Sequence, residues 1–128
     1  MAIHLDWYVP NRVIHLQLYD VVSIEEFQEV NAVLPAYLND SRTPAYVLSD
    51  ETHLTRLVPN LLSIQESFGW LCHPHLKMVL ACGEHRSVQR IAFITHFLQQ
   101  CYRFDYQRLP GLQDALEYLR DDDPSLLL

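Results

Sequence analysis

Three places in the chain carry residue types that could do chemistry. The first is residues 46–55, YVLSDETHLT, where an apolar run opens into hydroxyls and acids. Ser49, Thr52 and Thr55, with Ser63 further on, are candidate phosphate acceptors. Phosphorylation there would add close to two negative charges and three strong acceptor oxygens. Asp50 and Glu51 could act as an acid–base pair if they faced each other. Adjacent residues of a strand point to opposite faces, however, which argues against a shared site. The second place is Cys72-His73-Pro74-His75, the nearest approach to a metal motif. Zinc needs a second pair of ligands at a distance, and Cys82 with His85, or His96, could provide it. Pro74 restricts the convergence of the two histidines, and Cys72 falls on the apolar side of its helix. Buried cysteine and loop histidines are the favoured reading, with no metal or cofactor. The third place is the helix around residues 87–101, whose apolar positions exceed what one buried stripe requires.

Other catalytic patterns are absent. The sequence contains no GxSxG nucleophile elbow, no glycine-rich phosphate loop and no HExxH. With 3 glycines in 128 residues, backbone able to cradle phosphate is scarce. The chain is read as not being an enzyme.

The elements that would position these residues follow from periodicity. Residues 3–8 and 12–20 read as strands. In the second, Ile14, Leu16 and Leu18 alternate with His15, Gln17 and Tyr19. Pro10-Asn11 between them is turn chemistry, so a hairpin is expected. Ser23 and Glu26 form a capping box, followed by Ile24, Phe27, Val30, Leu34 and Leu38 at helical spacing. Pro35 lies inside that helix and predicts a kink or break near Asn31. Residues 45–50 read as a short strand, and 51–58 as a polar connection. A second helix starts near Pro59-Asn60 and buries Leu61, Ile64, Phe68 and Leu71. LKMVLAC, residues 76–82, is apolar on both faces and therefore interior to the sheet. Ser87 can cap a third helix to about Cys101, residues 102–106 read as a strand, and Pro110-Gly111 opens a fourth helix burying Leu112, Ala115, Leu116 and Leu119. Strands alternating with helices predict parallel pairing after the hairpin. At 128 residues, one domain spanning 1–128 is expected.

Composition bounds the partners. The chain is 49% hydrophobic and 20% charged, which is globular rather than disordered. A formal net charge of -7 disfavours nucleic acid, which requires a basic patch. No apolar run is long enough to span a membrane. No basic n-region precedes a hydrophobic stretch, so no signal peptide is expected. Three unpatterned cysteines predict a reduced, cytoplasmic setting with buried thiols.

The order of elements resembles a STAS domain of the SpoIIAA-like (anti-sigma factor antagonist-like) branch. The hairpin before the first helix, YVLSDET, GWLCHPHLKMVLACG and LQDALEYLRDDDP carry the resemblance over nearly the whole chain. It implies an α/β fold with a mixed sheet of about five strands, about four helices, and a regulatory or protein-interaction role. The family's switch is a serine at the start of the second helix. The corresponding residues here are Leu57-Val58-Pro59-Asn60-Leu61, without a hydroxyl or the following glycine, so the phosphorylatable signature is missing. With Ile91, Ile94, Thr95 and Leu98 facing inward, Phe93 and Phe97 are left on the far side of the third helix. These two, with Trp70 and the terminal Leu126-Leu127-Leu128, predict a contact surface and a homodimer. The alternative is a small-molecule or lipid-binding domain in which the surplus apolar residues line a pocket. Trp7, Tyr8, His15 and Tyr19 could furnish a second, shallow surface on the sheet.

Overall fold

The computed structural model describes residues 2–56, 60–84 and 88–128, without the side chains of Val88 and Gln89. Ser87 as a cap, Pro59 as a first-turn residue and His85 as a ligand lie outside the described residues, as does most of the stretch where a switch serine would fall.

Five strands form one sheet in the order β1-β2-β3-β4-β5: β1 (Ile3–Val9), β2 (Val13–Val21), β3 (Ala45–Arg56), β4 (Leu76–Cys82) and β5 (Asp105–Leu109). β1 and β2 pair antiparallel with Leu5 opposite Leu16. The remaining pairs are parallel, with Val47 beside both Ile14 and Val79. Three crossovers step the same way along the sheet: α1 (Ile24–Asp40), a 3-10 segment (Leu61–Cys72) and α2 (Val88–Cys101). Right-handed crossovers in one direction place their helices on one face. Accordingly Leu34, Leu38, Ile64, Phe68, Ile91, Ile94 and Leu98 share a core with Ile14, Leu16, Val47 and Val79. The last α-helix, α3 (Leu112–Asp122), covers the other face. Ala115 and Leu119 there pack against Val13, Tyr46, Leu48, Met78 and Leu80.

The Ser23 capping box forms as the sequence requires. Ser23 Oγ accepts from the Glu26 amide at 3.1 Å, and the Ser23 amide donates to Glu26 Oε1 at 3.3 Å. Glu26 Oε2 also accepts from the Ala2 amide at 2.8 Å, which ties the start of β1 to α1.

Several expectations are corrected. α1 runs unbroken from Ile24 to Asp40 through Pro35, so the proline does not break it near Asn31; Leu34 and Leu38 on either side are fully buried. β3 runs on to Arg56 rather than stopping at residue 50, since Tyr19, Asp20 and Val21 of the long β2 offer it further partners. β5 begins at Asp105, three residues later than expected. The second helix is not an α-helix. Its backbone departs from helical values at Ile64 (φ -110°) and Phe68 (φ -87°). Ser63 Oγ donates to Asn60 O at 2.6 Å, and Ser67 Oγ donates to Ile64 O at 2.7 Å. Such hydroxyls compete for the carbonyls an α-helix would use. Cys72 and Cys101 are exposed, and only Cys82 is a buried thiol. Leu126 is buried in the second core and Leu128 packs against it, so the terminal leucines do not form a common exposed surface. Leu127 alone is 90% exposed.

Candidate functional site: an apolar cavity with one polar end

The helical layer does not close completely on the sheet. A cavity of about 130 Å³ lies between them. Its floor is Leu16, Leu18, Val47, Val79 and Ala81, which are successive side chains on one face of three adjacent strands. Val30 of α1, Phe68 and Leu71 of the 3-10 segment, and Ile94 and Leu98 of α2 form the walls. Trp70 also lines the cavity. Its indole Nε1 donates to Asn31 Oδ1 at 2.9 Å, and Asn31 Nδ2 donates to Ser67 Oγ at 2.8 Å, so the polar atoms on this wall satisfy one another.

The end of the cavity towards the C-terminal ends of the strands is polar. Ser49 and Glu51 of β3 and Thr95 of α2 line it, and the Tyr106 side chain approaches them from β5, where its backbone is level with Val79. Glu51 forms an ion pair with Arg108 and accepts from Ser49 Oγ at 3.2 Å. Arg108 Nη1 also donates to Gly83 O at 3.0 Å. Burial acts to lower the Arg108 pKa, but Glu51 and then Tyr106 outweigh it and raise it. The Tyr106 hydroxyl is buried with no hydrogen-bond partner among the described residues. Thr95 and Arg108 stand near it without closing a bond of acceptable geometry. Burial, followed by the Glu51 charge, raises its pKa, so it is a neutral phenol at physiological pH.

Asp50 and Glu51 fall on opposite faces, as alternation requires. Asp50 Oδ1 accepts from the Thr52 amide at 3.1 Å and from Thr52 Oγ1 at 2.6 Å, with Cys82 Sγ at 3.6 Å. Burial and the Asp50 charge push the Cys82 thiol up to about 12, so it is an inert, protonated core residue.

The four candidate hydroxyls do not converge. Ser49 lines the cavity, Thr52 is bound to Asp50, Thr55 is exposed on β3, and Ser63 is spent on Asn60 O. The Cys72-His73-Pro74-His75 segment serves the C-terminus of α1. His73 faces Asn39 Oδ1 through Nε2 at 2.8 Å and accepts the His75 amide on Nδ1 at 3.1 Å. His75 Nδ1 meets Leu38 O at 2.9 Å. Burial, with the neighbouring His75, lowers the His73 pKa, in keeping with that neutral tautomer.

Of the residues expected at an interface, Phe93 is 64% exposed on α2 and Phe97 is half-buried. Trp70 is only 8% exposed and belongs to the protomer's own core, because its indole is consumed by Asn31. Tyr8, His15 and Tyr19 lie on the α3 side of the sheet, where Tyr19 stacks on His53 at 5.6 Å. Trp7 points to the other side and packs on Tyr37 at 5.2 Å.

Sequence reasoning missed Glu51–Arg108, the free Tyr106 hydroxyl and Asn31–Trp70. The signal for Tyr106 and Arg108 was their alternation with Gln107 and Leu109, which becomes visible only when β5 is placed at 105–109.

No family model matches the chain, and no curated protein matches it. Among solved structures it is similar to the crystal structure of an uncharacterized protein of the DUF3478 family with a SpoIIAA-like fold, from Shewanella loihica PV-4. The TM-score is 0.62 at 18% sequence identity, over 92% of each chain. At that identity the likeness shows the fold, and the chain has a SpoIIAA-like α/β fold. No helix among the described residues is long and apolar enough to cross a membrane.

Proposed function

We propose that this chain is a non-enzymatic SpoIIAA-like regulatory module that binds a small apolar ligand between its sheet and its helical layer. The observation that carries this reading is the cavity of about 130 Å³, walled by aliphatic and aromatic side chains. Interiors normally pack to crystal density, and an engineered apolar cavity of about 150 Å³ in another protein stays dry and takes up benzene. Three unpaired thiols support a reduced, cytoplasmic setting for the module.

Toluene is the probe that tests the reading. Ligand at ten times its Kd stabilises the native state by about 1.4 kcal/mol, so saturating toluene is expected to raise the melting temperature measurably. Ala81 is 1% exposed on the cavity floor, and Ala81→Leu directs an isopropyl group into the void. That variant is expected to melt higher than the native protein and to lose the response to toluene. A native protein that ignores toluene, or a variant that still responds fully, would rule the reading out.

A second reading is favoured by Phe93, whose ring is 64% exposed one turn before half-buried Phe97. These two rings would anchor an α2–α2 contact between two copies. Sedimentation across concentration is expected to show a dimer that Phe93→Asp dissociates, because a desolvated carboxylate at the contact is costly. A monomer at all concentrations removes this reading and leaves the cavity untouched.

A further inference from the structure

We infer that the cavity selects a ligand with a neutral hydrogen-bonding head, a hydroxyl or carbonyl, on a compact apolar body, and rejects a carboxylate. The inference rests on the cavity reading and adds the chemistry of the head group.

Three observations carry it. First, the Tyr106 hydroxyl is buried without a hydrogen-bond partner among the described residues, and Tyr106 lines the cavity. Burying a hydroxyl unpaired is unfavourable, and native structures rarely leave one so. A ligand oxygen reaching this end would accept its proton. Secondly, among the described residues the other polar side chains at this end are Ser49, Glu51 and Thr95. Ser49 already donates to Glu51, and Thr95 brings a second hydroxyl near Tyr106. Hydroxyls can both donate and accept, so together they suit an alcohol or a carbonyl. Thirdly, no cationic side chain among the described residues lines the cavity. Arg108 stands beside Tyr106 on the same face of the sheet, but its guanidinium is engaged by Glu51 and Gly83 O. Among the described residues, an anionic head would therefore be desolvated beside the Glu51 carboxylate and would have to compete with it for Arg108, which opposes binding.

The inference is tested on the intact chain with toluene, benzyl alcohol and benzoate, titrated by calorimetry and by chemical-shift changes. Benzyl alcohol is expected to bind, and benzoate at least a hundredfold more weakly. Tyr106→Phe removes only an unpaired hydroxyl, so the fold is expected to persist. It is expected to weaken benzyl alcohol about tenfold, the size of one net hydrogen bond, while toluene changes less than twofold. Without any variant, nuclear Overhauser contacts are expected to place the hydroxymethyl group of benzyl alcohol beside Tyr106 and Thr95, and its ring beside Val79 and Leu98. If toluene binds but Tyr106→Phe moves both neutral probes equally, or benzoate binds as tightly as benzyl alcohol, the head-group inference fails and the cavity reading stands. If toluene itself does not bind, both fall together.

Discussion

Gly83→Ala is expected to lower the unfolding free energy by about 3–4 kcal/mol, whereas Gly69→Ala is expected to raise it by about 0.5 kcal/mol. The two glycines differ in what a side chain would meet. Gly83 follows β4 with φ at +122°, a region that residues with a Cβ rarely enter. A Cβ built there lies 2.8 Å from the Thr52 nitrogen and 2.9 Å from the Glu51 carbonyl carbon. Both are backbone atoms, so relief requires moving β3 away from β4. That movement pulls directly on the polar end of the cavity, because Gly83 O accepts from Arg108 and Glu51 pairs with the same guanidinium. Gly69 has nothing within 4 Å of the equivalent position and no left-handed φ. There alanine mainly reduces the freedom of the unfolded chain. Urea unfolding with unchanged slopes checks both values. Similar small effects for the two substitutions would mean that β3 can shift freely and that the polar end is not rigidly held.

The contrast between these glycines illustrates what the sequence could and could not convey. Patterns that act over one or two turns were legible. Ser23 and Glu26 announced the start of α1, alternation in β2 gave its two faces, and the apolar run LKMVLAC gave an interior strand with both sides covered. Each depends on neighbours in the chain and little else. Gly83 is necessary because Glu51 and Thr52 pass close by, and nothing near residue 83 in the sequence records that approach. The 3-10 segment is a similar case. Leu61, Ile64, Phe68 and Leu71 are all buried at a spacing an α-helix would share. The serine hydroxyls that take its carbonyls decide the geometry instead.

The site was legible only in outline. Asp50 and Glu51 could be assigned to opposite faces from alternation alone. That Glu51 would meet Arg108 depends on β5 lying beside β4 in a register that puts Arg108 next to Ala81. Placing β5 three residues early concealed this. The cavity is a property of the mismatch between two layers, and no single segment encodes it. The surplus of apolar residues on α2 was visible, but it has two destinations. Ile91, Ile94 and Leu98 face the cavity, while Phe93 faces outward.

Leu119→Ala is expected to cost about 4 kcal/mol, and Leu98→Ala about 2 kcal/mol, although both remove the same atoms from buried positions. Leu119 is 0% exposed in the smaller core, where it packs with Tyr46, Leu48, Leu80 and Ala115. It is enclosed by that cluster, so truncation there creates a new void and forfeits contacts on every side. Leu98 borders space that is already empty, so fewer contacts are lost. α3 would stay tethered at its end by Tyr46 Oη donating to Asp122 at 2.6 Å, by Lys77 Nζ at 2.7 Å from the same carboxylate, and by the Arg12–Asp123 pair. Those ties hold the helix in place but do not refill its interior. The two variants should also answer differently to ligand. Saturating toluene is expected to recover most of the loss in Leu98→Ala, whose enlarged cavity admits it more readily, and little of the loss in Leu119→Ala. Equal costs and equal recovery would show that the two faces of the sheet are packed alike, and that the void under α1 and α2 has no particular capacity to hold a guest.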